Sequence, residues 1–381
     1  MKFRGYYQKI KCNMNEWKLI RLKFGRSTAH FGKLGIGMEE TSERVRSDTL
    51  FSAWMSTYAK LFGKDAATNL LQQFNTQAEL PFRLSSTFVY QQLDEKLVYY
   101  LPRPLMFPPN YPVGDDLDFA KAYKSLKYLP LEIWQHWYQG DGFTKRDHQE
   151  LTDKIKGGAK GALSQAGTFD YSKAFELSKV PKIAVDRTTR ATNLYYTGFV
   201  QYQWRPNGNV PSDVESLSGL YFIVHLPNSN LENTFFAVLD FMGGEGIGGE
   251  RSNGAGQFKV DWSTCELTPL WKQVIEFSGA NYHSLISMFW TNESSKLREL
   301  LPETPTLAAS YELQERGGWI ASPCSDGRQV RRQSVQMFAE GSVFPAIPEG
   351  KLADVTPEGF TDHRVYRSGI SLSLPIKVQG E

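Results

Sequence analysis

Seven of the fourteen residues from Gly243 to Gly256 are glycine, in the run Gly243-Gly-Glu-Gly-Ile-Gly-Gly-Glu-Arg-Ser-Asn-Gly-Ala-Gly256. The run lies between an apolar segment (Phe235, Phe236, Val238, Leu239, Phe241) and a strand-like Gln257-Phe-Lys-Val260. Its ends are therefore held, unlike those of a flexible linker. Without Cβ atoms such a backbone takes φ > 0 and brings bare N–H groups against a partner. The one cation inside it, Arg251, has the planar fork that suits phosphate. Two readings stay open at this level: a loop that contacts an anion, and a tight packing loop with no ligand. Gly244-x-Gly246-x-x-Gly249 meets the dinucleotide fingerprint in form, but that fingerprint needs a strand before it and a helix after it, and here the order reads helix, loop, strand. The triphosphate-cradling GxxxxGK[ST] fails, because Glu250 follows Gly249 and the run holds no lysine.

At 381 residues the chain has room for about two domains. A hydrophobic content of 41% with 13% aromatics argues against disorder, and nothing approaches the roughly 18 uninterrupted apolar residues of a membrane span. Residues 1–13 are basic without an apolar core, which is not the pattern of a secretory signal. They are expected to be an N-terminal extension, the folded domain beginning near Met14 and the protein being cytoplasmic. Cys12, Cys265 and Cys324 lack paired spacing, so neither a zinc site nor a disulfide framework is expected. No metal or other cofactor is expected, and Asp115-Asp116-Leu-Asp118 reads as a solvated turn and helix start. With 43 basic and 41 acidic residues, a polyanion must meet a local patch rather than a general basic coat.

Along the chain, Trp17–Phe24 alternates as a half-buried strand, with Ile20, Leu22 and Phe24 on one face and a partly basic face opposite. Ser47 reads as the N-cap of a helix to Phe62, with Asp48 at its positive end and Gly63 as its stop. Between them, residues 30–44 form a long irregular segment, of a kind that in compact domains is functional or disordered. Leu97–Leu101 reads as a strand, and five prolines from Pro102 to Pro112 forbid helix after it. Phe119–Leu131 and Trp134–Tyr138 read as helical, and 144–167 as polar and mobile. Strands are expected at 183–190, 194–204, 219–226, 283–290, 311–320, 335–338 and 366–378. The fold class is α+β, with two sheets each carrying helices on one face.

Leu19-Ile-Arg-Leu-Lys-Phe24, His30-Phe-Gly32, Glu40-Thr-Ser-Glu-Arg44, Ser47-Asp-Thr-Leu-Phe-Ser-Ala53, Leu101-Pro-Arg-Pro104, Gly246–Phe258 and His363-Arg-Val-Tyr-Arg-Ser-Gly369 together resemble the fourth subunit of the type III-A CRISPR-Cas (Csm) interference complex, of the RAMP superfamily. The resemblance runs from about Trp17 to Ile376. It implies two ferredoxin-like (RRM-like) βαββαβ domains with insertions and a glycine-rich loop, one at 14–215 and one, carrying the loop, at 216–381. It further implies an RNA-binding subunit of a ribonucleoprotein that serves antiviral defence. That subunit caps the crRNA 5′ handle without catalysis and docks the large polymerase/nuclease subunit and the backbone RAMP subunit. It meets target RNA only indirectly and has no membrane role.

An RNA end needs phosphates clamped by N–H groups and arginine, and bases stacked on aromatics. Gly246, Gly248, Gly249, Arg251, Ser252, Gly254 and Gly256 are the candidates on the phosphate side. His363, Arg364, Tyr366 and Arg367 place cations, an aromatic and an imidazole close together, with an exposed strand as the bland reading. In a strand Arg364 and Tyr366 would share one face and His363 and Arg367 the other. Arg187 and Arg190 are candidates for a hairpin that wedges between nucleotides, as the resemblance implies. His30 reads as buried or RNA-touching. The alternative function, a metal-independent endoribonuclease that processes precursor crRNA, would make a histidine a general acid or base, and no partner for it stands out.

Overall fold

The computed structural model describes residues 16–379 except 33–36, 78, 113, 115, 208–213, 303–307 and 321–329. The expected extension at 1–13, Cys12, Asp115 and Cys324 lie outside the described residues.

Strand β1 (Trp17–Lys23) leads by a long connection to helices α1 (Ser47–Phe62) and α2 (Lys64–Thr76), a short β2 (Arg83–Leu84), and the hairpin of β3 (Phe88–Leu93) and β4 (Lys96–Pro102). An insertion follows, with α3 (Leu117–Ser125), β5 (Tyr128–Pro130), α4 (Leu131–Tyr138), α5 (Lys145–Ile155), α6 (Ala162–Gln165), the long pair β6 (Phe175–Val185) and β7 (Thr192–Tyr202), and the short pair β8 (Trp204–Pro206) and β9 (Val214–Ser216). The chain then returns through β10 (Ser218–His225), α7 (Ser229–Glu245), β11 (Lys259–Val260) and α8 (Pro269–Ile275). The last part holds β12 (Tyr282–Leu285), α9 (Ser294–Leu300), β13 (Leu313–Arg316), β14 (Val335–Phe338), β15 (Val343–Phe344), β16 (Leu352–Asp354), β17 (Tyr366–Ser368) and β18 (Ser373–Ile376).

The main sheet is antiparallel, in the order β11-β1-β10-β3-β4-β5, with β2 also paired to β10. Taken as β1, helices, β3, β10, α7 and β11, its first four positions have the strand order of a ferredoxin-like βαββαβ core, with the insertion between the second and third strands. β10 pairs with β1 from Trp17↔His225 to Leu22↔Leu220. The expected division at 215/216 therefore does not separate two sheets, and the glycine loop belongs to the sheet that β1 begins. The C-terminal part adds a small sheet, β15-β12-β18, and the two-stranded pairs β13-β14 and β16-β17.

Both faces of the main sheet are covered. Ile20, Leu22, Leu220, Phe222 and Val224 pack under α1, α2 and α7, with Trp54 stacked on Phe235 at 5.2 Å. Leu19, Tyr221 and Ile223 face a second core with α4, α8, β12 and β18. The expected open, basic face of β1 is thus closed, and Arg21 and Lys23 both end on Asp261, at 2.7 and 2.8 Å. A one-dimensional alternation shows which residues share a face but not whether a later segment covers it.

Three local expectations also change. Tyr128–Pro130 interrupts the expected helix as an edge strand on β4, where a proline is tolerated. Residues 144–167 are ordered: Thr144 and Asp147 form a capping box, and the Glu150 carboxylate accepts from the amides of Gly161, Leu163 and Ser164 at 2.9, 3.0 and 2.7 Å. Helix α1 ends where expected, at Gly63 with φ 89, but begins one residue earlier, with Arg46 as its N-cap and no side-chain bond there. Ser47 Oγ instead accepts the Met288 amide at 2.8 Å, and Asp48 binds arginines of the C-terminal part.

Candidate nucleic-acid interface

The first two glycines of the run lie inside α7, which continues to Glu245; Gly246, at φ 85, ends it by donating to the Met242 carbonyl at 2.8 Å. The loop proper is 246–258, and its order of helix, loop and strand is the expected one. Its backbone is laid against residues 28–31. The amides of Gly249 and Gly256 donate to the carbonyls of His30 and Thr28 at 2.9 and 2.8 Å, while Ala29 exchanges both bonds with Val200 of β7, at 2.9 and 2.8 Å. Residues 28–31 thus act as a shared strand between the glycine loop and the root of the β6–β7 hairpin.

This close approach explains most of the glycines. A Cβ on Gly256 (φ +77) would overlap the Ile247 carbonyl oxygen, one on Gly248 (φ +99) would overlap the His30 carbonyl oxygen, and one on Gly249 would stand 2.7 Å from His30 Cδ2. Gly246 is held in the same way against the Ala255 carbonyl. For these four the packing reading holds. Among the run's glycines within the loop, Gly254 (φ +81) alone has open space around it, and with Arg251 and Ser252 it lies at the exposed tip. Arg251 forms no ion pair among the described residues.

His30 is buried. Its Nδ1 lies 2.7 Å from the Gly198 carbonyl, the geometry of a ring N–H donating to the backbone, and its ring meets Phe199 edge-on at 6.4 Å. It ties the loop, the shared strand and the hairpin together. Lys182 of β6 reaches across to the Glu250 carboxylate, which also accepts from Asn253 Nδ2 at 2.6 Å; these bonds hold the Glu250 carboxyl below the usual range.

Beyond its root the β6–β7 hairpin projects as an arm. Eleven residues per strand at about 3.3 Å each make it roughly 35 Å long. One face carries Lys182 toward the loop, and the other exposes Ile183, Val185, Leu194 and Tyr196, with Ile183 at 65%. Asp186 closes the tip by accepting from the amides of Thr188 and Thr189 at 2.7 and 3.2 Å, and Arg190 sits there at φ 58. Arg187 and Arg190 are exposed on that turn and form no ion pair among the described residues. The expected hairpin is present, with its arginines at the tip.

The four C-terminal candidates do not form one surface. Arg367 is buried, its guanidinium bound to the Asp48 carboxylate and to the Gly317 carbonyl at 2.6 Å, so it serves the fold rather than a ligand. Tyr366 is half-buried against the α1 core. Arg364 is exposed beside Asp354 at 3.4 Å, and His363 Nδ1 lies 3.0 Å from the Arg364 carbonyl. Sequence reasoning missed Lys182 and Glu250 as the brace of the loop; the alternation of β6 shows which face Lys182 takes, but not which element meets that face. No group of three His, Cys, Asp or Glu residues able to hold a metal occurs among the described residues, and none of their helices is long and apolar enough to cross a membrane.

Comparison with known proteins gives a consistent picture. Residues 278–376 match the CRISPR Csm4 C-terminal domain. The chain is 26% identical over 341 residues to the CRISPR system Cms protein Csm4 of Thermococcus onnurineus, covering 87% of this chain and 92% of that protein. It is 23% identical over 376 residues to the Streptococcus thermophilus protein of the same name, covering 95% and 99%. In fold it resembles a chain of the Csm3-Csm4 subcomplex of the type III-A CRISPR-Cas interference complex, with a TM-score of 0.55 at 18% identity over 94% of this chain and 99% of that one. A chain of the Csm1-Csm4 cassette in complex with cA4 gives 0.53 at 17% identity over 96% and 99%. The matched C-terminal domain, the near full-length relatives and the shared fold together support a Csm4 subunit.

Proposed function

We propose that this chain is the RNA-binding subunit of a type III-A CRISPR interference complex. It caps the 5′ handle of crRNA, docks the large polymerase/nuclease subunit and the backbone RAMP subunit, and performs no chemistry of its own. The observation that carries the reading is the shared-strand assembly of glycine loop, His30 and arm root. It holds Arg251 at one exposed tip and Arg187 and Arg190 at another, with an apolar face on the arm between. Cations at loop tips suit phosphates, and exposed apolar and aromatic side chains suit unstacked bases. Support for the partners comes from the solved complexes, whose names pair Csm4 with Csm3 and with Csm1. His30 favours binding over cleavage, because its Nδ1 is taken by a backbone carbonyl and its ring is packed against Gly249.

Arg251→Ala is expected to weaken binding of a handle-sequence RNA. It should also flatten the dependence of log K on log salt by about 0.7, the share of one single-strand phosphate contact. Fluorescence anisotropy across a salt series measures both, and an unchanged slope would remove Arg251 from the interface. Arg187→Ala with Arg190→Ala is expected to lower affinity for an RNA long enough to reach the arm while sparing a short handle fragment. Equal loss on both RNAs would count against a separate role for the tip.

A further inference from the structure

Asp48, buried in the first turn of α1, is shared by two arginines of the C-terminal part. Arg316 donates through Nε and Nη2 at 2.8 and 3.1 Å, and Arg367 binds it through Nη1. A third arginine, Arg332, stands in the same cluster. Its Nη2 donates to the Trp319 carbonyl at 2.9 Å, and its buried Nε has no partner among the described residues, nor has the Nε of Arg367. No carboxylate pairs with Arg332 among the described residues. Among the described residues, three guanidinium groups therefore meet one carboxylate, an imbalance that a partly buried site does not maintain without cost. Burial, followed by the like charge of Arg367, pushes Arg332 down to about 10.

Arg332 is half-buried. The atoms nearest a Cβ built on Gly318 (φ +134) would be Nε, Nη2 and Cζ of Arg332, at 3.6, 3.7 and 3.9 Å, so the guanidinium lies against a residue without a side chain. Next to it Trp319 is 56% exposed. An excess of guanidinium beside an exposed indole is the pairing that holds a backbone phosphate and a stacked base in single strands.

We propose that Arg332, backed by Arg316, and Trp319 form a second contact for single-stranded RNA, the guanidinium taking a phosphodiester and the indole stacking an adjacent base. The inference rests on the RNA-binding reading above and extends it to a distinct place. The cluster sits at the N-terminus of α1, whose 16 residues put it about 24 Å from the other end, where Lys60 pairs with Glu245 beside the glycine loop. One RNA chain held at both places would run along the α1 side of the molecule.

The test compares Arg332→Gln, Trp319→Ala, Trp319→Phe and Arg251→Ala in the full chain, using a labelled single-stranded RNA, a salt series and a thermal melt. Arg332→Gln and Trp319→Ala should each weaken binding about five-fold or more, and Trp319→Phe should recover most of the loss. Arg332→Gln should also flatten the salt slope by about 0.7. Its melting temperature should stay level or rise, because it removes a like charge. Wild-type affinity in both site variants, with Arg251→Ala still impaired, would sink the second contact and leave the loop reading intact. A lower melting temperature in Arg332→Gln would overturn it in favour of a structural role. Loss of partner-subunit binding with RNA affinity unchanged would make the patch a protein contact instead. RNA binding absent from every variant and from the wild type would remove both readings.

Discussion

Glu340→Gln is expected to destabilise the protein by about 3–5 kcal/mol, the cost of removing one partner from a buried charge pair. The Glu340 side chain is 1% exposed and lies between Arg44, whose Nη1 and Nη2 donate at 3.0 and 3.1 Å, Arg46, and the Ser86 hydroxyl. Arg44 also donates to the Tyr128 hydroxyl at 2.7 Å, so the cluster joins the segment before α1, the main sheet, its edge strand and the C-terminal part. Glutamine keeps the shape but leaves Arg44 buried with its charge uncompensated. Urea denaturation monitored by intrinsic tryptophan fluorescence measures the loss, and a midpoint within error of the wild type would show that the cluster does not latch the two parts.

The same carboxylate predicts a pH dependence. Burial raises its pKa, but the attraction of Arg44 and Arg46 outweighs it and holds Glu340 far below the ordinary value. A group with a depressed folded pKa contributes stability that is fully present above its unfolded value, about 4.3 for glutamate, and is lost as pH falls toward the folded one. Stability should therefore fall from about pH 4.3 downward, and more steeply in the wild type than in Glu340→Gln, which has no proton to take up at this position.

Gly256→Ala is the second large effect expected, and it falls on RNA binding more than on global stability. The residue has φ +77, a Cβ would overlap the Ile247 carbonyl oxygen, and its amide is bonded to Thr28. Left-handed strain for a non-glycine residue costs about 1–2 kcal/mol and the clash adds to it, so the loop should leave residues 28–31. Once detached, Arg251 and the Glu250–Lys182 brace lose their placement, and RNA affinity should drop about ten-fold or more. Gly254→Ala, with the same sign of φ but open space, is the control. It should retain most of the affinity, and equal losses in the two variants would show that strain alone is at work, without the shared-strand packing.

Much of this was legible in order along the chain. The spacing of Leu50, Phe51, Trp54 and Met55 and the glycine at 63 mark α1 to within one residue, because the helix period and its stop are local properties. The density of glycine from 243 to 256 marks a backbone pressed against something; the structure shows that for Gly246, Gly248, Gly249 and Gly256 this partner is the protein itself. The hairpin carrying Arg187 and Arg190 was expected from the resemblance, but the strand expected over 183–190 ends at Val185, which puts both arginines in the turn. By contrast, the order of pairing that puts β10 beside β1 lies outside any local pattern, which is why the boundary at 215/216 looked plausible and does not separate two sheets.

The sequence by itself determined helix α1, strands β1 and β10, the order helix, loop, strand around the glycine run, and the motifs that carry the resemblance. Those features depend on residues within a few positions of one another, where period, capping and conformational freedom act. Only the tertiary structure decided which charged residues are available to a ligand. Arg367 looks like a surface cation in its own stretch, yet it is spent on Asp48, 319 residues away, and Arg44 is spent on Glu340, 296 residues away. The physical reason is that a charge is neutralised by whatever the folded chain brings within a few ångströms, and the energetic weight of that contact is set by burial. Neither quantity is written in the local pattern that makes helices and strands readable.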